Sequence, residues 1–275
     1  MQNANIKARI DSTKSLIERD SLFIPGEKED EIAFLVAKYI KEEDRILPTL
    51  NKSSFDIELP KVREHLFEHF NDEKVDRRYK EIILDGKLIK QCTSPGVYVT
   101  SFIGPQMPSV MSIPYDIDET SHVFLGHEAT HILAVDHNYD EWIYMLLYSD
   151  VIPMLYELLE ADTKDSETRD KIISWRLAKM LEMYNHAFSD EIESTLKGDD
   201  LRYYQIPEKQ YFISYYYTIL LYSLLSDAPS EVIKEVREVL NQRLTTYKML
   251  NQFDLLNCVN EEAFKIGCSK MLRNK

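Results

Sequence analysis

The segment HEATH contains three residues whose types and spacing suit metal chemistry. His127 and His131 lie four positions apart, so on a helix both imidazoles face one side and can bind a single ion. Glu128 is turned by about 100° from His127 on such a helix, which places its carboxylate beside the ion, where it can accept a proton from bound water. The pattern predicts one Zn²⁺ per chain, with His127 and His131 as ligands and Glu128 as the general base of peptide-bond hydrolysis.

The residues on both sides of the motif are apolar, with VFL at 123–125 and IL at 132–133. Two histidines and a glutamate buried on such a helix would cost free energy unless a metal ion satisfied them. This context favours a zinc site over a chance match to the pattern on an ordinary buried helix.

Zinc held by two histidines needs a third protein ligand and an open position for water. The nearest acidic residues in the apolar stretch that follows are Asp150, Glu157 and Glu160. The neighbours of Glu157 would bury it, and a buried carboxylate needs a compensating cation, so Glu157 is the predicted third ligand. Glu160, on nearly the same face, and Asp162 are candidates for orienting a ligand histidine from outside the metal shell.

The rest of the chain predicts the elements that position these residues. Seven Gly and ten Pro in 275 residues leave little material for tight turns, so the protein is expected to be mostly helical. Residues 96–104 and 109–115 are short, rich in Val, Tyr, Phe and Ile and separated by prolines, which is typical of strands. Acidic residues at 118–119 then indicate the start of the motif helix.

These elements predict a mainly α fold with a small β-sheet (α+β). Its zincin-like catalytic core has the HExxH helix following short strands and surrounded by helices. Residues 1–92 are predicted as a helical N-terminal region and residues 93–275 as the zincin-like catalytic region, or the two form one compact unit. Later helical patterns cover residues 140–162, 166–196, 208–226 and 229–248, with a predicted break at 198–200.

Composition and charge argue against several classes of partner. A formal net charge of −14 would repel a phosphate backbone, so we expect no nucleic-acid partner. The first twenty residues contain no apolar run of signal-peptide length, and no later stretch reaches the length of a membrane span, so we expect a cytoplasmic protein without membrane contact. The three cysteines include no C-x-x-C pair and indicate neither a disulfide framework nor a cysteine metal site.

The order of motifs resembles the thimet oligopeptidase and oligoendopeptidase F family of gluzincin-type zinc metallopeptidases. The matching features are GVY on a strand, PYD after the next strand, the helix VFLGHEATH, YSD followed by Glu157, and the segment YFISYYYTILLYSLL. The resemblance implies a hydrolase of short or unstructured peptides with a shortened N-terminal region, in which the first strand pairs with the substrate backbone. It also implies an oxyanion-stabilising tyrosine, for which Tyr211, Tyr215 and Tyr216 are the candidates.

Three alternatives use the same or similar residues. His137 lies ten positions after His127, as in a metzincin with a third histidine ligand, although Ala134 replaces the glycine of that pattern. The chain could instead keep the zinc helix and bind a peptide or partner protein with little turnover. A further pattern, H-x-x-E-H at 65–69, lies in a charged segment typical of a surface helix.

Overall fold

The structure is a computed structural model that describes only part of the chain. The described residues are 2–19, 24–43, 89–92, 98–100, 110–114, 127, 150–162, 164–226, 250 and 254–272. The helices of this part are α1 (Gln2–Glu18), α2 (Glu27–Glu43), α3 (Val151–Ala161), α4 (Ser166–Ala187), α5 (Asp190–Thr195), α6 (Gly198–Leu225) and α7 (Glu261–Leu272). The strands are β1 (Ile89–Cys92), β2 (Tyr98–Thr100) and β3 (Val110–Pro114).

Helix α6 is the centre of the apolar core. It packs against α7, α2, α3, α1 and α4, and large side chains such as Phe212 and Tyr217 are fully buried along it. Gly267 of α7 lies close against α6, where an added Cβ would be 2.6 Å from Cγ2 of Ile219. A helix surrounded by other helices must be apolar on nearly every face, which explains the long apolar run in this part of the sequence.

The start of α4 is specified locally. Asp165 is the N-cap, and its carboxylate accepts hydrogen bonds from the backbone N–H of Thr168 at 3.0 Å and from the Thr168 hydroxyl at 2.9 Å. These bonds satisfy groups that have no partner within the helix. The predicted helix over 166–196 is two helices, since α4 ends at Ala187 and α5 begins at Asp190.

The break predicted at residues 198–200 lies two residues earlier in the structure, where Leu196 and Lys197 are extended between α5 and α6. Helix α6 begins at Gly198 and runs without interruption to Leu225, with Pro207 inside it. Gly198 has φ +57, a left-handed conformation that costs glycine little. This glycine therefore lies at the boundary between α5 and α6, and α6 begins ten residues before the predicted start at 208.

The three strands form one small sheet in the order β1-β3-β2. Strand β1 is parallel to β3, with Ile89 opposite Met111, and β2 is antiparallel to it, with Tyr98 opposite Ser112. Strands β2 and β3 lie inside the two predicted strand segments, whereas the sequence did not predict β1.

The expected α+β class is wrong, and the protein is mainly α. Where both backbone and side chains are described, the chain is 84% helical and contains no strand. Among the residues whose burial the structure describes, the buried apolar core is formed by the helices and the short connections next to them. The strands are only four, three and five residues long, so helices dominate the described secondary structure.

The N-terminal helices share the core of the later ones. Helices α1 and α2 both pack against α6, and Ile10 and Ile32 belong to the same buried cluster as Phe212. Thus the described parts of the regions 1–92 and 93–275 meet in one hydrophobic core. None of the described helices has the length and apolar character required to cross a membrane.

Candidate active site

Helix α3 carries Glu157, and Asp150 immediately precedes its first residue. The helix is strongly apolar and largely buried, and the exposed fraction of Glu157 is 0%. At its start, the hydroxyl of Thr218 from α6 donates a hydrogen bond to the backbone oxygen of Val151 at 3.1 Å. The central helix therefore fixes the position from which Asp150 and Glu157 project.

His127, the first histidine of the motif, lies against both of these carboxylates. His127 is a helical residue, and it is buried, with an exposed fraction of 6%. The distance from Nδ1 to Oε1 of Glu157 is 2.6 Å, and the distance from Nε2 to Oδ1 of Asp150 is 3.4 Å. The fold therefore brings together two residues that the sequence predicted as ligands of one metal ion, thirty positions apart in the chain.

Arg176 of α4 is the buried counter-charge of this site. Its Nε donates to Oε2 of Glu157 at 2.9 Å, and its Nη2 donates to Oε1 of the same carboxylate. Such a two-pronged contact is the strongest arrangement available to a guanidinium and a carboxylate. Both side chains are almost completely inaccessible to solvent, so each depends on the other for compensation of its charge.

The pKa values of the pair reflect this coupling. Burial acts to raise the pKa of Glu157, but the charge of Arg176 and the contact with His127 outweigh it and hold that pKa below its ordinary value. Burial acts to lower the pKa of Arg176, and the charge of Glu157 reverses the effect and raises it. Both groups are therefore charged at neutral pH.

Sequence reasoning missed Arg176, although the sequence carries a signal for it. On α4, Ile172 and Ile173 precede it by one turn, Met180 follows it by one turn, and Leu177 is the next residue. All four are buried in the structure. An arginine among apolar residues of one helix face needs a buried anion, and Glu157 is that anion.

The three candidate tyrosines of α6 differ in environment. Tyr211 is 38% exposed, whereas Tyr215 and Tyr216 are buried. The Tyr215 hydroxyl donates to Sδ of Met271 at 3.6 Å, and the Tyr216 hydroxyl oxygen accepts the backbone N–H of Asn260 at 2.6 Å. Tyr215 also contributes to the electrostatic environment of Arg176. The structure therefore places the two buried tyrosines against the C-terminal part of the chain.

Several predicted residues are not covered by this geometry. Glu128 and His131, the base and second ligand, lie outside the described residues, as do His137 and the H-x-x-E-H segment at 65–69. The side chain of Glu160 is also outside the described part. Within the described ranges, no three or more His, Cys, Asp or Glu side chains are placed so that they could hold a metal ion by themselves.

Asp162, a predicted orienting residue, has other partners. Its carboxylate accepts hydrogen bonds from Nε of Arg169 at 2.9 Å and from the Tyr222 hydroxyl at 2.9 Å. Arg169 also donates through Nη2 to the backbone oxygen of Met271 at 2.8 Å. These contacts tie the end of α3 to α4, α6 and α7.

Comparison with other proteins identifies no relative of this chain. No protein-family model matches it, and neither the curated proteins nor the solved structures gave a match. The function must therefore be argued from the site and the motif.

Proposed function

We propose that the chain is a zinc-dependent metallopeptidase that hydrolyses short or unstructured peptides. In this proposal His127 and His131 bind one Zn²⁺, and a carboxylate of the α3 segment completes the ligand set. The observation that carries the proposal is the 2.6 Å contact between His127 and Glu157. A chance match to HExxH would not be expected to have a buried acidic partner thirty residues away in the chain.

The residues present fit the metal in their chemistry. Imidazole nitrogens and carboxylate oxygens are the ligands that catalytic zinc sites use, and the site around His127 supplies one imidazole and two carboxylates. Bound zinc would lower the pKa of its water to about 7 and polarise the scissile carbonyl. The side chains around His127 are largely shielded from solvent, which strengthens their interactions with charge.

The remaining steps belong to the protein's own side chains. Glu128 takes a proton from the attacking water and delivers it to the leaving amine. A tyrosine of α6 donates a hydrogen bond to the oxyanion. Tyr211 is the candidate that solvent reaches, while the hydroxyls of Tyr215 and Tyr216 are buried against the C-terminal part of the chain.

A second candidate function is a binding protein without significant turnover. The observation that favours it is the ion pair between Arg176 and Glu157, which compensates the buried carboxylate without any metal ion. In that case His127, Glu157 and Arg176 would be a structural network beneath a surface that binds a peptide or partner protein.

Metal analysis combined with a peptide-cleavage assay separates the two functions. The purified chain is expected to contain one zinc per chain and to cleave members of a quenched-fluorescence peptide library. A chelator should abolish cleavage, and added zinc should restore it. Stoichiometric zinc without cleavage would favour the binding protein, and a chain that folds without binding zinc would exclude the peptidase.

A further inference from the structure

The two ring nitrogens of His127 face different carboxylates. Nδ1 lies 2.6 Å from Oε1 of Glu157, whereas Nε2 lies 3.4 Å from Oδ1 of Asp150. The 2.6 Å contact is an ion-pair distance and does not have the angle of a hydrogen bond. An ionised carboxylate carries no proton of its own, so at this distance its oxygen is compatible only with a protonated Nδ1, since two lone pairs would repel each other. In the neutral ring that proton leaves the lone pair on Nε2, which is the nitrogen facing Asp150.

Both carboxylate oxygens of Glu157 already contact nitrogen donors. Its two oxygens accept Nε and Nη2 of Arg176, and Oε1 also contacts Nδ1 of His127. Its side chain is 1% exposed, so it has almost no face toward solvent or substrate. A carboxylate that binds the second nitrogen of a ligand histidine is the usual outer partner in zinc sites, where it fixes the ring orientation.

Asp150 has the geometry of a ligand. Two ligands bound at about 2.1 Å to a tetrahedral ion lie about 3.4 Å apart, and 3.4 Å is the separation between Nε2 of His127 and Oδ1 of Asp150. The Asp150 side chain is 14% exposed, so it lies on the more open side of the ring. A catalytic zinc needs such an opening because water and substrate must reach it.

We propose that Asp150, rather than Glu157, binds the metal ion together with His127. Glu157 then acts as a positioning residue that holds the His127 ring through Nδ1, and Arg176 holds Glu157. This inference rests on the proposed zinc-peptidase function and names a different third ligand from the one that the sequence predicted.

The test compares three isosteric variants by their zinc affinity, measured in competition with a chromophoric chelator. Asp150→Asn removes the anionic ligand and is expected to weaken zinc binding by about a hundredfold or more. Glu157→Gln is expected to weaken it by about tenfold, the lower end for changes outside the metal shell. Asp162→Asn is the matched control, because its side chain is similarly exposed, at 12%, and lies beyond the other end of α3. Its affinity should stay within about threefold of wild type.

The order of the two affinities decides between the carboxylates. Weaker binding by Asp150→Asn than by Glu157→Gln supports the inference. If the wild-type chain binds zinc but Glu157→Gln binds it as weakly as Asp150→Asn or more weakly, the inference is overturned and the proposed function is left intact. A wild-type chain that binds no zinc removes both.

A measurement on the wild-type protein avoids any dependence on whether the Glu157 variant folds. The ¹⁵N resonances of the His127 ring in the zinc-loaded chain are expected to show a proton on Nδ1 and the metal on Nε2. Metal on Nδ1 would place it beside Glu157 and overturn the inference.

Discussion

Two arginines of α4, seven positions apart in the chain, each bind a carboxylate in or directly after α3. Arg176 binds Glu157 beside His127, and Arg169 binds Asp162 beyond the end of α3. Both arginines are buried, at 6% and 3% exposure. The pairs have the same chemistry, so the difference between the two regions must come from what surrounds them.

The surroundings differ in charge and in hydrogen bonding. Around Arg169 the further partners are the Tyr222 hydroxyl, the backbone oxygen of Met271 and, at 4.0 Å, the carboxylate of Asp170. The Asp170 side chain is 47% exposed, so the second carboxylate of this network lies toward solvent. Beside the Arg176–Glu157 pair, His127 contacts Glu157 and lies 3.4 Å from a second carboxylate, Asp150, whose side chain is only 14% exposed. With a neutral His127, one guanidinium leaves one of these two shielded carboxylates uncompensated, which suits the region to a cation. The same kind of ion pair therefore packs helices together in one region and lies beside the candidate metal site in the other.

The largest expected effect is the loss of peptide turnover when the general base Glu128 is replaced. Glu128→Gln should retain fold and zinc but lower peptide turnover by about a thousandfold, because the general base is removed while both histidines stay. Asp162→Asn, in the other network, should keep turnover within about threefold of wild type. Initial rates on one cleaved library peptide measure both. Near-normal turnover in Glu128→Gln would remove the catalytic role of the motif.

Zinc binding should depend on one region alone. His127→Ala is expected to weaken zinc affinity by at least about a hundredfold, since it removes a ligand rather than an outer partner. His137→Ala should change the affinity by less than about threefold. The chelator competition described above measures both. A large loss in His137→Ala would instead support the metzincin-type ligand set.

The network around Arg169 should affect the free energy of unfolding rather than zinc binding. Arg169→Met leaves Asp162 with only part of its hydrogen bonding and is expected to lower the free energy of unfolding by about 2 kcal/mol. Urea denaturation followed by circular dichroism measures the change. Zinc affinity should be unaltered in the folded variant. If zinc binding were lost together with stability, the two networks would form a single unit.

The smallest effect concerns Tyr222. Burial and then the charge of Asp162 raise the pKa of this phenol from 10.0 to about 12. The folded state therefore favours the neutral phenol, and this contribution to stability is complete below pH 10 and is lost as the pH rises toward about 12. Tyr222→Phe should lower the free energy of unfolding by about 1 kcal/mol at neutral pH.

The pH dependence of the same variant provides the check. Between pH 10 and about 12, the free energy of unfolding should fall less steeply for Tyr222→Phe than for wild type, because the variant lacks the group that titrates. Equal slopes would show that the Tyr222 phenol has the same pKa in both states.

Some of the structure could be read from local patterns. The Asp165 cap, the helical character of α2, α4 and α6, and the apolar setting of Glu157 follow from residue types within one or two turns. The same holds for β2 and β3, whose sequences are rich in strand-forming residues. The α+β class was wrong because strand propensity indicates where short strands form, whereas the class depends on the balance of elements, and helices dominate the described part of the chain.

By itself, the sequence determined which residues could do chemistry: the HExxH pattern and the acidic residues that follow it. Only the tertiary structure decided which partners they meet. Arg176 lies nineteen positions from Glu157, Asp150 shares His127 with Glu157, and α7 covers Tyr215. Hydrophobic periodicity reports which face of a helix is buried, because that depends on neighbours three and four positions away. It does not report which helix covers that face, so the partner of a buried charge follows from packing alone.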